Sequence, residues 1–338
     1  MGVQISEIIP RKEISIKDLK GKTIAIDAYN TLYQFLTTIR QVDGTLLMDK
    51  QGNITSHLSG IFYRNLNLLQ DGLKIIYVFD GKPDELKLKE IEKRQDAKKI
   101  AKENYEKAKS EEDIPGMRKY SQQFVKITSE ILEQSKELLN AMGIPCIESL
   151  GEGEAEAAFL VNQNKAWASA SQDYDSLLFG AQKLIRNLTL ARKRKTISGY
   201  VDINPELITL EDVLNKLQID RDQLICLGIL VGTDFNPGGI KGIGQKRALE
   251  IVQKNKYPVK IFQFIEQSDK YQLDFNWQDV FKQFRDYQSK PADIKFKEFN
   301  EKAVKDILIK HDFSEERIDS ALNRLKEAQE KNKQKTLF

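Results

Sequence analysis

Thr23-Ile-Ala-Ile-Asp27 and Ile75-Ile-Tyr-Val-Phe-Asp80 decide the fold of this chain. Each is a short apolar run, rich in β-branched residues, that closes on an acid, the pattern of a strand buried on both faces in a parallel sheet. Three more apolar runs end in the same way: Leu150-Gly-Glu152-Gly-Glu154, Ala168-Ser-Ala-Ser-Gln-Asp173-Tyr-Asp175 and Leu227-Gly-Ile-Leu-Val-Gly-Thr-Asp234. Three of the five read as buried parallel strands. Open α/β sheets gather ligands at the carboxyl ends of their strands. Seven carboxylates converging there would repel one another strongly at low dielectric, and the surrounding segments offer little Lys or Arg. Divalent metal is the natural counter-charge, and an all-oxygen donor set favours Mg²⁺ or Mn²⁺ over zinc.

Each acid taken alone has an ordinary reading as a helix N-cap or turn former. Asp173 and Asp175 lie two residues apart, so an extended strand end points both to one side. Glu152 and Glu154 flank Gly153 and lead into Ala155-Glu156-Ala157-Ala158-Phe159-Leu160, a helix start. Carboxylates there gain from the positive end of the helix dipole, so helix capping and metal binding both stand for this pair.

A chain of 338 residues, 40% apolar and 30% charged, buries one large core or two modest ones. No run approaches the length of a membrane span, and the start carries no signal-peptide pattern. Met1-Gly2-Val-Gln-Ile-Ser6 matches a short myristoylation pattern. Cys146 and Cys226 are isolated, which implies a reducing interior and no zinc finger. His57 and His311 are too few for a histidine metal site. The net charge of +3 and pI near 8.5 hide a segregation. Acids cluster after apolar runs, while Lys and Arg crowd 82–126 and 183–195. An acidic cleft with a basic surround suits a polyanionic substrate handled through metal.

Along the chain, residues 22–80 read β-α-α-β, with helices expected from Tyr29 to Arg40 and from Ser56 to Gln70 and a strand over 74–79. From Asp84 to about Gly143 the pattern is helical, broken near Ile114-Pro115-Gly116. Its first half is dense in Lys and Glu with little to bury, so it reads as a segment mobile when free or as a solvated charged hairpin. Further strands are expected over 144–147 and 167–170, with a helix from Glu154 to Asn164 between them. Strands and helices continue from Lys183 to Val201, so the sheet is parallel or mixed. Beyond Leu207 the chain turns helical and contains Gly242-Ile-Gly244-Gln-Lys246-Arg247. A Gly-Ile-Gly turn entering a basic helix presents bare amides to a phosphate, and Lys241, Lys246 and Arg247 add charge there. A plain interhelical turn is the other reading.

The strand-end acids, Asp80-Gly-Lys-Pro83, Gly151-Glu-Gly-Glu-Ala-Glu156 and the Gly242-Ile-Gly244 turn occur in the order seen in flap endonucleases, members of the structure-specific 5′-nuclease (XPG) superfamily. The resemblance runs from Met1-Gly-Val-Gln4 to near the C-terminus and lacks a long basic tail, which points to an archaeal member. It implies an α/β fold: a central twisted, mostly parallel sheet flanked by helices, PIN-like, with a helical gateway or cap. A C-terminal helical region would carry a helix-hairpin-helix-type DNA-binding motif. The implied divisions are a nuclease region over 1–98, a cap over 84–135, an internal nuclease region over 116–258 with the hairpin at 237–252, a C-terminal helical region over 259–329 and a tail over 330–338.

By that resemblance Asp27, Asp80, Glu152 and Glu154 hold one of two Mg²⁺ ions, and Asp173, Asp175 and Asp234 hold the second, partly through water, with Mn²⁺ a substitute. Lys87 and Arg94, nearly two helical turns apart and so on one face, are implied as the catalytic cations on the scissile phosphate. Solvated helix cations are the alternative from the residues alone. Tyr33 resembles an aromatic that stacks on a base near the cut, although its position alone suggests core. Gly2, Thr55, Arg64, Lys241, Gly242, Gly244, Lys246 and Arg247 fall at DNA-contacting positions, Thr55 and Arg64 where a one-nucleotide 3′ flap is held. The hairpin is implied to hold K⁺ through backbone carbonyls. Gln334, Leu337 and Phe338 resemble the start of a sliding-clamp (PCNA) peptide that stops before its second aromatic, so weakened clamp binding is expected.

The expected activity is 5′-flap endonuclease and 5′→3′ exonuclease action on branched DNA, by a monomer in an archaeal cytoplasm, in lagging-strand maturation and long-patch repair. Junction shape and phosphates would be read, with no helix suited to base edges. The rivals are a related junction or bubble nuclease, a non-catalytic junction scaffold, and an Asp-nucleophile phosphatase. The last wants an Asp where Tyr29 stands.

Overall fold

The computed structural model describes residues 2–82, 84–196, 199–289 and 293–334. A short strand β1 (Lys12–Glu13) and a 3-10 turn lead to β2 (Thr23–Asp27), α1 (Ala28–Thr38), α2 (Ser56–Gln70) and β3 (Lys74–Phe79). Helices α3 (Leu88–Ser110), α4 (Ile114–Ser121) and α5 (Ser129–Ala141) follow. Then come β4 (Cys146–Glu148), α6 (Gly153–Asn162), β5 (Ala168–Ala170), α7 (Asp175–Leu178) and β6 (Lys183–Arg186). The hairpin β7 (Lys193–Thr196) and β8 (Gly199–Asp202) precedes β9 (Glu206–Thr209). The remainder is helical: α8 (Leu210–Leu217), α9 (Arg221–Val231), α10 (Gln245–Asn255), α11 (Pro258–Glu266), α12 (Trp277–Arg285), α13 (Glu301–Lys310) and α14 (Glu315–Gln334). No described helix is long and apolar enough to cross a membrane.

The main sheet runs β1-β9-β6-β5-β2-β3-β4. From β6 to β4 all neighbours are parallel, while β9 lies antiparallel to both β6 and β1. The fold is therefore the expected mostly parallel α/β sheet between helices. Helices cover both faces, which is why the strands are apolar throughout rather than alternating. Ile24, Ile26, Ile75, Tyr77 and Phe79 point into a core shared with α1, α2, α5, α13 and α14. Their neighbours Ala25, Ile76 and Val78 point the other way, onto Ala157, Leu160 and Val161 of α6. Each of the larger side chains, fully buried, contributes roughly 1.5–3 kcal/mol. A third core joins α6–α12 and contains Phe262 stacked on Trp277 with ring centroids 4.3 Å apart.

Several boundaries differ from the sequence expectation for local reasons. The first helix begins at Ala28 because Asp27 caps it, its Oδ1 accepting from the Asn30 amide at 3.1 Å. The strand expected at 144–147 is Cys146–Glu148, since pairing with β3 starts at Tyr77 opposite Cys146. In the charged helical stretch the break falls just before Ile114, where Asp113 caps α4 and Pro115 fits its first turn. Leu227–Asp234 lies in the stretch expected to be helical, and α9 runs to Val231, Gly232 ends it with φ of 111°, and Asp234 stands in the turn beyond. Ahead of α13, residues 297–300 run along the α5–β4 connection, with the Lys297 amide on the Gly143 carbonyl and the Asn300 amide on the Ala141 carbonyl.

Candidate active site

Because β2, β3, β4 and β5 are parallel, their carboxyl ends share one edge of the sheet, and a cleft of about 700 Å³ opens there. Asp27, Asp80, Glu152, Glu154, Asp173, Asp175 and Asp234 all line it. Asp27 closes β2 and Asp80 follows β3. Glu152 and Glu154 stand at the start of α6, Asp173 and Asp175 between β5 and α7, and Asp234 just past α9.

Hydrogen bonds fix most of these carboxylates. The Gly153 amide donates to Asp80 Oδ1 at 2.7 Å, the Ser171 hydroxyl to Glu154 Oε1 at 2.5 Å and the Val3 amide to Asp175 Oδ1 at 2.7 Å. Asn30 Nδ2 donates to Asp173 Oδ2 at 2.9 Å, while Asn30 Oδ1 accepts from the Gln172 amide. Glu152 occupies the N-cap position of α6, yet its side chain makes no cap and reaches Lys87 instead. The capping alternative is thereby decided for Glu152. Asp27 both caps and lines the cleft.

The opposite wall carries the cations. Lys87, ahead of α3, donates to Glu152, lies 3.6 Å from Asp234 and sits over the Phe235 ring. Arg94, on α3, donates to Asp234 Oδ1 at 2.8 Å. The scarcity of Lys and Arg near the acids in sequence is thus relieved by a segment distant from all of them except Asp80.

Burial and mutual repulsion dominate the electrostatics. Burial, then Asp80, pushes the Asp27 carboxyl well above the usual range, and burial, then Asp175, does the same for Glu154. Asp175 is pushed up to about 7 by burial and by Asp234, against the pull of the Val3 amide. Asp80 is also raised, chiefly by burial. Burial alone would lower Lys87, but Glu152 and Asp234 more than reverse it. Glu152 is nevertheless raised, because burial and Asp80 outweigh its single ammonium partner. Seven carboxylates, Asp27 and Asp175 among them buried, outnumber the Lys87, Arg94, Lys98 and Lys126 side chains that line the cleft, an excess of negative charge that an all-oxygen, divalent-cation site would neutralise, so the donor chemistry fits Mg²⁺ or Mn²⁺. With the side chains as they stand, no three of the described Asp, Glu, His or Cys groups close on one point.

Tyr33 is not core: it is 40% exposed at the cleft. Gly2 packs against the acids, where a Cβ would stand 2.6 Å from Asp173 Cβ and 2.9 Å from Asp175 Oδ1. Thr55 and Arg64 do not line the cleft; Thr55 is buried at the start of α2, and Arg64 is half-buried near Arg192. In the hairpin, Gly242 has φ of 85°, which suits glycine, and Gly244 stands at the N-cap of α10. Lys241 is exposed, whereas Lys246 pairs with Glu7 and Arg247 with Glu250. Gln334 ends α14, and Leu337 and Phe338 lie outside the described residues. Asn30, Ser171 and the Val3 amide were not singled out from sequence. Asn30 alone had a signal, an amide three residues past Asp27 and hence on its helix face.

Residues 1–101 match the XPG N-terminal domain family and residues 143–234 the XPG I-region. Flap endonuclease 1 of Thermococcus onnurineus is 49% identical, covering 100% of this chain and 98% of that protein. The Pyrococcus furiosus protein of the same name is 50% identical over 100% of this chain and 98% of its own length. Among solved structures, flap endonuclease-1 from Methanococcus jannaschii aligns with a TM-score of 0.74 at 36% identity, covering 97% of this chain and 98% of that one. The catalytic core of Rad2 in complex with DNA substrate shares the fold, with a TM-score of 0.71 at 22% identity over 93% of this chain and 96% of that one.

Proposed function

The chain belongs to the flap endonuclease family, and on that premise we propose that it is a Mg²⁺-dependent nuclease that removes 5′ flaps from branched DNA and also acts as a 5′→3′ exonuclease. The observation that carries this reading is the meeting of seven carboxylates from five chain segments in one cleft faced by Lys87 and Arg94. Asp27, Asp80, Glu152 and Glu154 would hold one divalent ion and Asp173, Asp175 and Asp234 another. Bound there, such ions supply an activated water and charge neutralisation at the scissile phosphate, with no protein general base required.

The chain's own residues do the rest. Lys87 and Arg94 leave their acid partners for the non-bridging oxygens of the phosphate and stabilise charge that develops there. Tyr33, half-exposed at the cleft, stacks on the base beside the cut and so holds the phosphate against the acids. The α3–α4 arm is the gateway through which the single-stranded 5′ end passes. The Gly242–Gly244 hairpin takes the phosphates of the duplex with the Gly242 and Gly244 amides and Lys241, the Ile243 amide being bonded to the Ile240 carbonyl, and K⁺ is the natural ion for its carbonyls. The protein works as a monomer on chromosomal DNA inside an archaeal cell, in replication and repair, and engages the sliding clamp weakly through its tail.

Incubating the protein with end-labelled double-flap, bubble and four-way DNA, with and without Mg²⁺, tests this. Cleavage at the flap base only with metal, and faster than on the other two substrates, is expected. An intact flap in Mg²⁺ would leave a binding scaffold, and preference for the four-way junction would leave a resolvase-type enzyme.

A further inference from the structure

We propose that Tyr287, in the extended segment after α12, is a positioning residue that sets the acids of α6 through Ser149. The inference rests on the nuclease reading above.

Glu152 supplies no side-chain cap to α6, so the first turn is held from outside. The Ser149 hydroxyl lies 2.9 Å from the Glu152 carbonyl, to which it donates, and accepts from the Gly151 amide at 3.2 Å. The Tyr287 hydroxyl stands 2.8 Å from Ser149 Oγ. Serine carries a single hydroxyl proton. Tyr287 also carries one, so the Glu152 carbonyl, the Glu156 carboxylate and the contact between the two hydroxyls share two protons. A chain of hydroxyl contacts therefore links Tyr287 through Ser149 to the backbone of Glu152.

The same segment also holds the other end of the turn. Glu156, 2% exposed, accepts from the Ser289 hydroxyl at 2.5 Å, and Tyr287 lies 3.3 Å from the same carboxylate oxygen. Glu152 and Glu156 are thus tied to residues 287–289, with Glu154 between them. The Tyr287 ring stands edge-on to Phe179 at 5.9 Å, and Phe179 closes α7, which begins at Asp175. Phe179 in turn packs on Phe284 of α12, at 4.7 Å. One side chain from the C-terminal region thus touches two of the segments that deliver acids to the cleft. A shift of a few tenths of an ångström in the first turn of α6 would move Glu152 and Glu154 together, against Asp27 and Asp80 on their strand ends. Metal sites and phosphate chemistry are sensitive to displacements of that size.

Tyr287→Phe keeps the ring and removes the hydroxyl; Ser149→Ala removes the middle of the chain. Two readouts apply: Mn²⁺ affinity of the DNA-free protein by calorimetric titration, and Mg²⁺ half-saturation of single-turnover flap cleavage. Both variants should weaken Mn²⁺ binding and raise Mg²⁺ half-saturation by about five- to tenfold, with unchanged affinity for flap DNA. The double variant should lose no more than Tyr287→Phe alone, because Ser149 reaches Tyr287 only through the hydroxyl already removed. Ser289→Ala, which touches Glu156 but not the chain, should keep wild-type Mn²⁺ affinity. Unchanged metal affinity in Tyr287→Phe and Ser149→Ala, whatever their melting temperatures, overturns the proposal, as does an equal loss in Ser289→Ala. Wild-type protein that cuts no flap in any divalent metal would strike the nuclease reading instead. Normal wild-type cleavage beside an unaffected Tyr287→Phe strikes only this inference.

Discussion

On one side of the cleft the acids stand on strand ends and helix starts of the buried sheet, and hydrogen bonds from Gly153, Ser171, Asn30 and Val3 hold four of them. On the other side Lys87 and Arg94 come from the α3 arm, where Ala101 and Ala108 are the buried hydrophobics among the described side chains and Ile100 is 60% exposed. The acidic wall shares the core that folds the protein. The basic wall shares little of it and is tied to the acids through its own cations. Elements with few buried contacts open at low cost. The contrast suits a division of labour, in which the acids are placed before DNA arrives and the cations exchange carboxylates for phosphate when it does.

The largest expected effect comes from the rigid side. Asp175→Asn should slow flap cleavage on the order of a thousandfold or more, as for other groups that act as one unit, while binding of a double-flap substrate stays near wild type. Near-normal cleavage would remove the metal assignment. On the opposite wall, Arg94→Ala should slow the single-turnover rate by about a hundredfold with a much smaller change in DNA affinity. If affinity falls in proportion to rate, α3 is only a grip on DNA and the division between the walls is lost.

A smaller effect concerns the support behind the acidic wall. His57, fully buried on α2, bonds Gln134 through Nε2, and burial lowers it to about 4. The unfolded chain takes up this proton near the ordinary histidine value and the folded chain only near 4. Stability is therefore complete above about pH 6.5 and falls as pH drops toward 4, by roughly 3 kcal/mol for this group. Because the raised cleft carboxylates gain stability over the same range, the loss should be read by urea unfolding from pH 7 to 4 as the difference between wild type and His57→Leu. An unchanged pH dependence in the variant would assign the acid sensitivity elsewhere.

The acids were legible because a strand followed by a carboxylate is a local pattern, and a parallel sheet brings such endings together without further instruction. The antiparallel place of β9 and β1 was left open, since short half-exposed strands carry no direction. What holds the acids was not legible. Val3 and Asp175 are 172 residues apart, Asn30 and Asp173 are 143, and Ser149 and Tyr287 are 138, so no window of sequence contains both partners. Tyr33 read as core because one aromatic on an amphipathic helix does not reveal whether its side of the helix meets a sheet or a cleft.

Anomalous diffraction from crystals of the protein with flap DNA and Mn²⁺ is the most direct test. Two manganese peaks about 4 Å apart are predicted, one among Asp27, Asp80, Glu152 and Glu154 and the other by Asp173, Asp175 and Asp234, with Lys87 and Arg94 turned to the phosphate. Manganese found only away from this cleft, with Lys87 still on Glu152, would contradict the account.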